Sequence, residues 1–410
     1  MIPSPARRAG VDADQSTFMA CAAWPPGYHP PMRILVLGGY GLFGSRICRA
    51  LAGDAGLTII IAGRSEARAQ QLAAAITAPR AGIEPAAINT EAPDFGTRLA
   101  ALRPDVVIDT AGPFQGRDYR VAEAVLAAGA HCIDLADGRD YVRGINALDA
   151  TARAAGRWVI SGASSVPGLH AAVIDALLPG FSRLDTVETA IFPGNRTPRG
   201  WATTLSILGY AGHPYRCLID GAWREVHGWQ SLRRLRIPGL GADGSGTGTR
   251  WVARCEIPDL DLLPARHTGL RTVEFRAGLE LWRMHFGLWL ATWAVRAGRA
   301  LGLPLDLRHI ARPLYRLSEL WQHTGSDTGG MQVTLGGPGH DGAPHRTTWT
   351  LIARDGDGPQ IPATAAVLLA RKLARGELPG AGATACVGVF SLEEFLDALA
   401  GYSIKAHVRQ

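Results

Sequence analysis

Lysine is nearly absent from this chain of 410 residues, in which Lys372 and Lys405 are the only two. The stretch from 181 to 357 contains none. A Schiff base between an enzyme and its substrate requires a lysine amine. Covalent chemistry of that kind is therefore excluded from residues 181–357, as is an acid–base pair of lysine and histidine.

Cysteine is scarce and scattered along the sequence. The six cysteines are Cys21, Cys48, Cys132, Cys217, Cys255 and Cys386, and no two of them have the C-x-x-C spacing. Zinc sites and the disulfide frameworks of small secreted proteins both leave closely spaced cysteines in a sequence. The pattern predicts a protein of the cytoplasm, a reducing compartment, without a metal site.

Long apolar runs are also missing. The most apolar segment, residues 286–295, is followed by Arg296 and Arg299. It is shorter than the run of about 20 residues that a membrane-spanning helix needs. A buried helix or a dimer face is the favoured interpretation, and association with a membrane surface is the alternative.

The chain is basic but has no cluster of basic residues. Its net charge is +6 and its pI is about 9.2, yet no run of five or six basic residues occurs. Tails that bind nucleic acid carry such runs. We therefore expect no nucleic-acid partner and a small, anionic substrate. Residues 1–31, rich in Pro, Ala and Gly, are predicted to form a disordered extension.

Three glycines follow an apolar segment, residues 34–37, that is typical of a buried parallel strand. Gly39, Gly41 and Gly44 have the spacing G-x-G-x-x-G, and a helical pattern opens at Leu42. In a dinucleotide site the three glycines permit a tight turn, approach of the backbone to the pyrophosphate, and close packing of helix on strand. A glycine-rich turn without function is the alternative. We expect the phosphates to be bound by the whole segment, which is Gly39, Tyr40, Gly41, Leu42, Phe43 and Gly44.

The second predicted strand, residues 57–62, ends in Gly63-Arg64-Ser65. Sites for NAD usually place an acidic residue here, about 20 residues after the glycines, where it binds the ribose 2′-hydroxyl. The guanidinium of Arg64 suits the 2′-phosphate of NADP instead. Ser65 can donate to the same phosphate and can cap the next helix. The sequence therefore favours NADP over NAD, the alternative being that Arg64 is a surface charge only.

Six predicted strands alternate with helices up to about residue 180, which indicates a Rossmann-type, doubly wound parallel sheet. Ligands bind at the carboxyl ends of such strands. The turn after the fourth strand, Thr110-Ala111-Gly112-Pro113, is therefore expected to lie beside the nicotinamide. We predict an α/β protein with a Rossmann domain at 32–180, an inserted α+β substrate and dimerisation domain at 181–357, and a C-terminal segment at 358–410 that returns to the Rossmann domain.

Hydride transfer also needs a proton donor and groups that hold the substrate. Asp137 follows the fifth strand in a loop, and His170 opens a helix after the second glycine-rich turn, residues 162–168. We take both as candidate catalytic residues. The alternatives are a turn residue for Asp137 and a structural or capping residue for His170. Candidate carboxylate clamps are Arg196, Arg199 and Arg216, for each of which a solvated surface position is the alternative.

Several segments together resemble the saccharopine dehydrogenase family, in its saccharopine reductase-like branch of NADP-binding proteins. The resemblance covers residues 33–178 and 350–400 well and the middle loosely. The matching segments are residues 36–41, 107–114, 131–135, 167–168, 358–362 and 382–395. The Gly-Pro-Phe turn at 112–114 and the C-terminal segments are more specific than the glycine motif.

The resemblance implies a Rossmann domain completed by the C-terminus, an inserted substrate domain and a homodimer. It also implies hydride transfer between NADP and a C–N centre, an imine or a secondary amine, of a small amino-acid-like substrate. The other hypothesis is a nucleotide-binding protein without catalysis that has a membrane-associated or protein-interaction role.

Overall fold

The computed structural model describes residues 31–241 and 246–409. The predicted disordered extension lies outside the described residues, apart from Pro31. Residues from Met32 onward form one compact unit.

Strands and helices alternate in the first part of the chain. The strands are β1 (Met32–Leu37), β2 (Leu57–Gly63), β3 (Gly82–Ala87), β4 (Val106–Asp109), β5 (His131–Asp134) and β6 (Trp158–Ser161). The helices are α1 (Gly44–Leu51), α2 (Glu66–Ala74), α3 (Phe95–Ala101), α4 (Arg120–Ala127), α5 (Arg139–Gly144), α6 (Asp149–Ala154) and α7 (His170–Leu177).

The middle of the chain adds strands in quicker succession. They are β7 (Thr186–Phe192), β8 (Pro214–Ile219), β9 (Ala222–His227), β10 (Arg233–Pro238), β11 (Thr247–Arg254), β12 (Thr272–Ala277), β13 (Gly329–Pro338) and β14 (Pro344–Ala353). The helices are α8 (Trp201–Tyr210), α9 (Asp259–Arg266), α10 (Trp282–Ala300) and α11 (Ala311–Glu319). The chain then continues with α12 (Gln360–Ala374), β15 (Gly382–Ala385), α13 (Leu392–Asp397) and β16 (Ile404–Arg409).

The first sheet is parallel and has the strand order β15-β6-β5-β4-β1-β2-β3. Its inner order is that of a doubly wound dinucleotide-binding fold. Helices cover both faces, so central strands bury every side chain, as in β2. The predicted Rossmann-type fold is confirmed.

The second sheet is mixed and has the order β10-β11-β12-β7-β13-β14-β16. Its one parallel pair is β7 with β12, and the described neighbours otherwise run antiparallel. A hairpin turn at Asp341-Gly342 joins β13 to β14, and Gly342 has a φ of +79°. Positive φ is the conformation that glycine adopts without strain.

The C-terminal segment, which we predicted to return to the Rossmann domain, contributes to both sheets. Helix α12 packs against α1, and Arg371 pairs with Asp54 at 2.8 Å. Strand β15 lies beside β6, and β16 pairs with β14 at the edge of the second sheet. Ser391 and Glu394 form a capping box at the start of α13.

Two regions of the middle differ from their sequence-based prediction. Residues 226–235 have the sequence pattern of a single strand, but they belong to β9 and β10, because Trp229 and Ser231 between these strands have φ values of +57° and +55°. Helix α8 was not predicted. Its neighbouring residues Thr203 and Thr204 are β-branched and Gly200 provides no side-chain cap, so local propensity signals no helix there.

Candidate cofactor and substrate site

The loop after β1 is built around four glycines. Gly38, not Gly39, adopts the left-handed conformation of the turn, with a φ of +72°. A Cβ on Gly44 would lie 2.3 Å from the carbonyl oxygen of Gly38, so helix and loop touch through this glycine. A Cβ on Gly41 would lie 3.0 Å from the same oxygen. Helix α1 begins at Gly44 rather than at Leu42. Residues 38–43 therefore form a loop that can accept a phosphate at the N-terminus of α1.

The carboxyl end of β2 places two arginines beside this loop. Arg64 is exposed. The backbone N–H of Ser65 donates to the hydroxyl of Tyr40 at 2.9 Å, and the Ser65 hydroxyl caps α2 by accepting from Arg68 N. The guanidinium of Arg68 lies 4.6 Å from the centre of the Tyr40 ring.

The charges of Arg64 and Arg68 are uncompensated. Across residues 31–241 and 246–409, neither guanidinium is within ion-pair distance of a carboxylate. Sequence reasoning missed Arg68, although its position one helical turn after Ser65 could have suggested it. Gly63 is required here because a Cβ would lie 2.6 Å from the Tyr40 ring. The cluster of Tyr40, Arg64, Ser65 and Arg68 thus fits a 2′-phosphate by its charge and its hydrogen-bond donors.

The turn after β4 is fixed to the glycine loop. The hydroxyl of Thr110 donates to the carbonyl oxygen of Leu37 at 2.7 Å, and the N–H of Ala111 donates to Asp109. Burial raises the pKa of Asp109, and its ion pair with Arg117 at 3.0 Å opposes that rise. Asp109 therefore orders the turn, as its position at the strand end indicates.

Helix α8 covers the predicted nicotinamide turn. The Cβ of Ala202 on this helix is 3.3 Å from the place where a Cβ of Gly112 would sit, so the helix packs directly over Gly112-Pro113. At Gly200, a Cβ would lie 3.4 Å from the side chain of Leu42. The first turn of α8 thereby contacts two of the loops expected to hold the cofactor.

Asp137 lies in a polar network at the same place. Its carboxylate accepts hydrogen bonds from Ser206 of α8 at 2.7 Å and from Gln115 at 3.1 Å. Burial raises the pKa of Asp137, and these two hydrogen bonds oppose the rise. Gln115 directly follows the Gly-Pro-Phe turn and could have been found from that motif. Ser206 could not, because the helix that carries it was not predicted.

His170 does not join this network. It is 1% exposed, and its Nδ1 lies 2.7 Å from Asp259 Oδ1 while its Nε2 lies 2.7 Å from Thr189 Oγ1. Both ring nitrogens are thus engaged inside the protein, between α7, α9 and β7. This geometry does not support the predicted catalytic role of His170 and agrees with the structural alternative, because a general acid or base must reach the reacting group.

A large cavity of about 480 Å³ has Phe43 of the glycine loop and Ser165 of the second turn in its lining. Neither Asp137 nor His170 lines it. Its apolar wall comes mainly from α8, α10, α11 and the second sheet. The apolar lining includes Ile191, Ile207, Leu208, Leu279, Met284, Leu288, Ala291, Leu314, Leu317, Trp321, Met331 and Ile361.

The three predicted arginine clamps are found in different places. Arg196 is exposed and pairs with Asp327 at 3.1 Å. Arg216 lies on β8, with its guanidinium over the ring of Trp223. Only Arg199 lines the cavity, where it is half-buried and donates to the carbonyl oxygens of Ser318 and Asn195 at 3.2 and 3.1 Å.

The described residues contain neither a metal-binding cluster nor a membrane-spanning helix. No group of three or more His, Cys, Asp or Glu side chains among them is placed to hold a metal ion. None of the helices in that part of the chain has both the length and the hydropathy to cross a membrane.

Residues 34–160 match the family model of the saccharopine dehydrogenase NADP binding domain. The match lies within the Rossmann domain. It favours NADP as the cofactor of this domain, as predicted, and the predicted family resemblance is confirmed over these residues. No curated protein matches the chain.

Solved structures resemble the chain over most of its length. Apo saccharopine dehydrogenase (L-Glu forming) of Saccharomyces cerevisiae covers 92% of this chain and all of its own, with 14% identity and a TM-score of 0.64. A meso-DAPDH variant of Clostridium tetani E88, solved with DAP, covers 90% of this chain and 96% of its own, with 12% identity and a TM-score of 0.42. At 14% identity the yeast structure shows a shared fold.

Proposed function

We propose that the protein is an NADP-dependent oxidoreductase that transfers a hydride between NADP and a C–N centre, an imine or a secondary amine. The observation that carries this proposal is that the cavity is lined by Phe43, a residue of the glycine loop of an NADP-binding domain, and by Ser165. A substrate in this cavity lies next to the cofactor loop. The choice of a C–N centre rests on the family resemblance.

The chain's own residues have distinct roles in this proposal. The loop 39–44 binds the pyrophosphate, and Arg64, Ser65 and Arg68 bind the 2′-phosphate. The cofactor supplies or accepts the hydride when it is bound. The apolar wall of the cavity excludes water from the reacting centre.

Asp137 does not line the cavity, but it is half-buried rather than fully enclosed like His170, and it is the group that we propose for proton transfer. Because burial raises its pKa, it keeps a proton to higher pH than an exposed aspartate does. Ser206 holds this carboxylate from α8, the helix whose Ile207 and Leu208 line the cavity. Thr110, Ala111, Gly112 and Pro113 form the turn expected at the nicotinamide.

Isotope transfer tests the proposed function directly. The protein is mixed with NADPH that carries deuterium at C4 of the nicotinamide, and with imines formed from a panel of amines and carbonyl compounds. Deuterium in an amine product, measured by mass spectrometry, supports the proposal. Deuterium in alcohol products alone would show that the reacting centre is a carbonyl group. Asp137→Asn is expected to lower kcat and to shift the pH profile of turnover, with Arg98→Ala on the distant α3 as the control.

The exposed apolar face of α10 favours a second candidate, the non-catalytic interaction protein. Trp282, Leu290 and Trp293 are 69, 65 and 45% exposed. Large exposed apolar patches mark interaction surfaces. A homodimer formed through this face would be lost in Leu290→Ser/Trp293→Ser, as sedimentation velocity would show. NADPH binding without isotope transfer to any substrate would favour this candidate over the enzyme.

A further inference from the structure

The described residues offer no free carboxylate in the cavity to a substrate ammonium group. Glu280 is the one acidic residue that they contribute to its lining. Its oxygens already accept from the N–H of Asn195 at 2.7 Å and from the N–H of Ser326 at 2.9 Å, and it pairs with Arg250 at 3.1 Å. A small amino acid would therefore bury its ammonium group there without a counter-ion, which is strongly unfavourable.

Arg199 gives the cavity a half-buried positive charge that has no carboxylate partner among the described residues, whereas the other arginine of the lining, Arg283, is exposed and lies over the ring of Trp321. The described partners of Arg199 are the carbonyl oxygens of Ser318 and Asn195 and the side-chain oxygen of Asn195, and no carboxylate of residues 31–241 or 246–409 is within ion-pair distance. By contrast, the half-buried Arg250 has Glu280 as its counter-ion. A half-buried guanidinium without a counter-ion favours the binding of an anion.

The rest of the wall is apolar and extensive. Helices α8, α10 and α11 contribute Ile207, Met284, Leu288 and Leu314, among others. The volume of about 480 Å³ is that of pockets that enclose a drug-sized ligand. A molecule as small as an amino acid would leave most of this wall uncovered.

We propose that the cavity binds an amphipathic substrate, with a long apolar body along α8, α10 and α11 and a carboxylate at Arg199. The proposal rests on the proposed function, because the substrate's reacting centre has to lie at the Phe43 and Ser165 end, beside the cofactor loop. It replaces the small amino-acid-like substrate of the sequence-based prediction and keeps its negative charge.

Binding of simple amphiphiles tests the proposal without turnover. Calorimetry on the whole chain compares octanoate, decanoate and dodecanoate with dodecanol and with glutamate. Affinity is expected to rise by about fourfold for each added methylene until the cavity is full, since each buried methylene contributes a nearly constant free energy. Saturable binding of glutamate, with none of dodecanoate, would overturn the proposal.

Gly287→Leu tests the location of the site. Gly287 lies on α10, lines the cavity, and has no atom within 4 Å of the place where a Cβ would sit. Leucine therefore enters open space at the cavity wall and also favours the helix. Gly96→Leu is the matched control, because Gly96 lies in α3, also has open space around its Cβ position, and does not line the cavity. Dodecanoate should bind at least tenfold more weakly to Gly287→Leu and unchanged to Gly96→Leu. Equal affinities for both variants would place the amphiphile elsewhere.

Arg199→Gln tests the head group. It should weaken dodecanoate by about tenfold, the effect of losing one charge-assisted hydrogen bond, and leave dodecanol unchanged. Arg199→Lys should keep most of the affinity for dodecanoate. Equal loss of dodecanoate and dodecanol in Arg199→Gln would contradict the assignment of the carboxylate to this guanidinium.

A separate titration with NADPH distinguishes this proposal from the proposed function. If dodecanoate binds as expected and NADPH does not, the proposed function fails and the amphiphile site stands. If NADPH binds and Gly287→Leu leaves dodecanoate affinity unchanged, the amphiphile site fails and the cofactor site stands.

Discussion

The cofactor edge of the first sheet and the large cavity are built in opposite ways. The cofactor edge takes its loops and its two free arginines from residues 38–68, a short stretch of chain. The cavity takes its wall from β7, α8, α10, α11, β13 and the segment 358–362, which are far apart in the sequence. The cofactor edge is polar and exposed. The cavity is mostly apolar, and of the two arginines in its lining Arg199 is half-buried and Arg283 is exposed.

Because of this difference, the cofactor edge determines which nucleotide binds and the cavity determines which substrate binds. The cofactor edge is set by backbone geometry and by charge at the end of β2, which many substrates can share. The cavity sets which substrate reaches the cofactor. Changes at the cofactor edge should therefore alter nucleotide affinity alone, and changes in the cavity should alter substrate affinity alone.

The largest effect is expected from Gly44→Val. Its side chain would collide with the carbonyl oxygen of Gly38, which lies 2.3 Å from the Cβ position. The loop would have to move, so NADPH should bind at least a hundredfold more weakly in a calorimetric titration. Gly96→Val, at a helical glycine with open space around it, is the control for the helix propensity of valine. Undiminished NADPH affinity in Gly44→Val would show that the nucleotide lies elsewhere.

The next largest effect, on NADPH affinity, is expected from Arg64 and Arg68, which have no carboxylate partner among the described residues. Arg64→Ala and Arg68→Ala should each weaken NADPH by about tenfold or more, the usual contribution of a charged hydrogen bond. NADH lacks the 2′-phosphate, so its affinity should not change. Arg98→Ala removes an exposed arginine of α3 and should affect neither nucleotide. An equal loss for NADPH and NADH would mean that these arginines bind a part shared by both.

A third prediction concerns pH and the core beneath the cofactor turns. Burial raises the pKa of Asp134 to about 7, against the hydrogen bonds from Gly162, Ala136 and Ser161. In the unfolded chain the pKa of this carboxyl group is about 3.9. The folded state thus binds the proton more tightly, and the stability that Asp134 contributes is complete below about pH 4 and is lost as the pH rises toward 7.

Asp134→Asn should remove this part of the pH dependence. Urea unfolding at a series of pH values would show a flatter curve for the variant than for the natural chain. Identical slopes for the two proteins would mean that the Asp134 pKa is not raised in the folded state. The cavity contains no comparable group, so Arg199→Gln should leave the slope as it is.

The smallest effect is expected from Thr189→Val, which removes the hydroxyl 2.7 Å from His170 Nε2. The loss of one buried hydrogen bond should lower the free energy of unfolding by about 1 kcal/mol. NADPH affinity and turnover should stay unchanged, because the network of His170 lies apart from both regions. A stable variant with strongly reduced turnover would reinstate His170 as a group that acts in the chemistry.

The cofactor edge could be predicted from sequence because its parts are close in the chain. The glycine spacing, the apolar strand before it and Arg64 after β2 each carry a local signal. Even there the conformational role of Gly38 was missed, because a run of glycines does not show which of them adopts the positive φ of the turn. Arg68 was missed because its position at the cofactor edge depends on Tyr40. The ring of Tyr40 belongs to the glycine loop and packs against the Arg68 guanidinium.

The cavity could not be predicted for a physical reason. Its wall forms only when α8, α10 and α11 pack together, and an apolar residue such as Met284 or Leu314 has the same pattern in a cavity as in a core. Ser206 is placed by helix α8, and that helix could not be predicted because its threonines have a low helix propensity. Arg199 was named among three arginines, but only the tertiary structure separates it from Arg196, which has a carboxylate partner.

The most direct measurement is the ratio of the NADPH and NADH dissociation constants of the purified chain, by calorimetry. We expect micromolar NADPH binding and NADH binding at least tenfold weaker, because Arg64 and Arg68 have no other anion to bind among the described residues. Equal affinities, or no binding of either nucleotide, would contradict the assignment of the cofactor edge and with it the proposed hydride transfer.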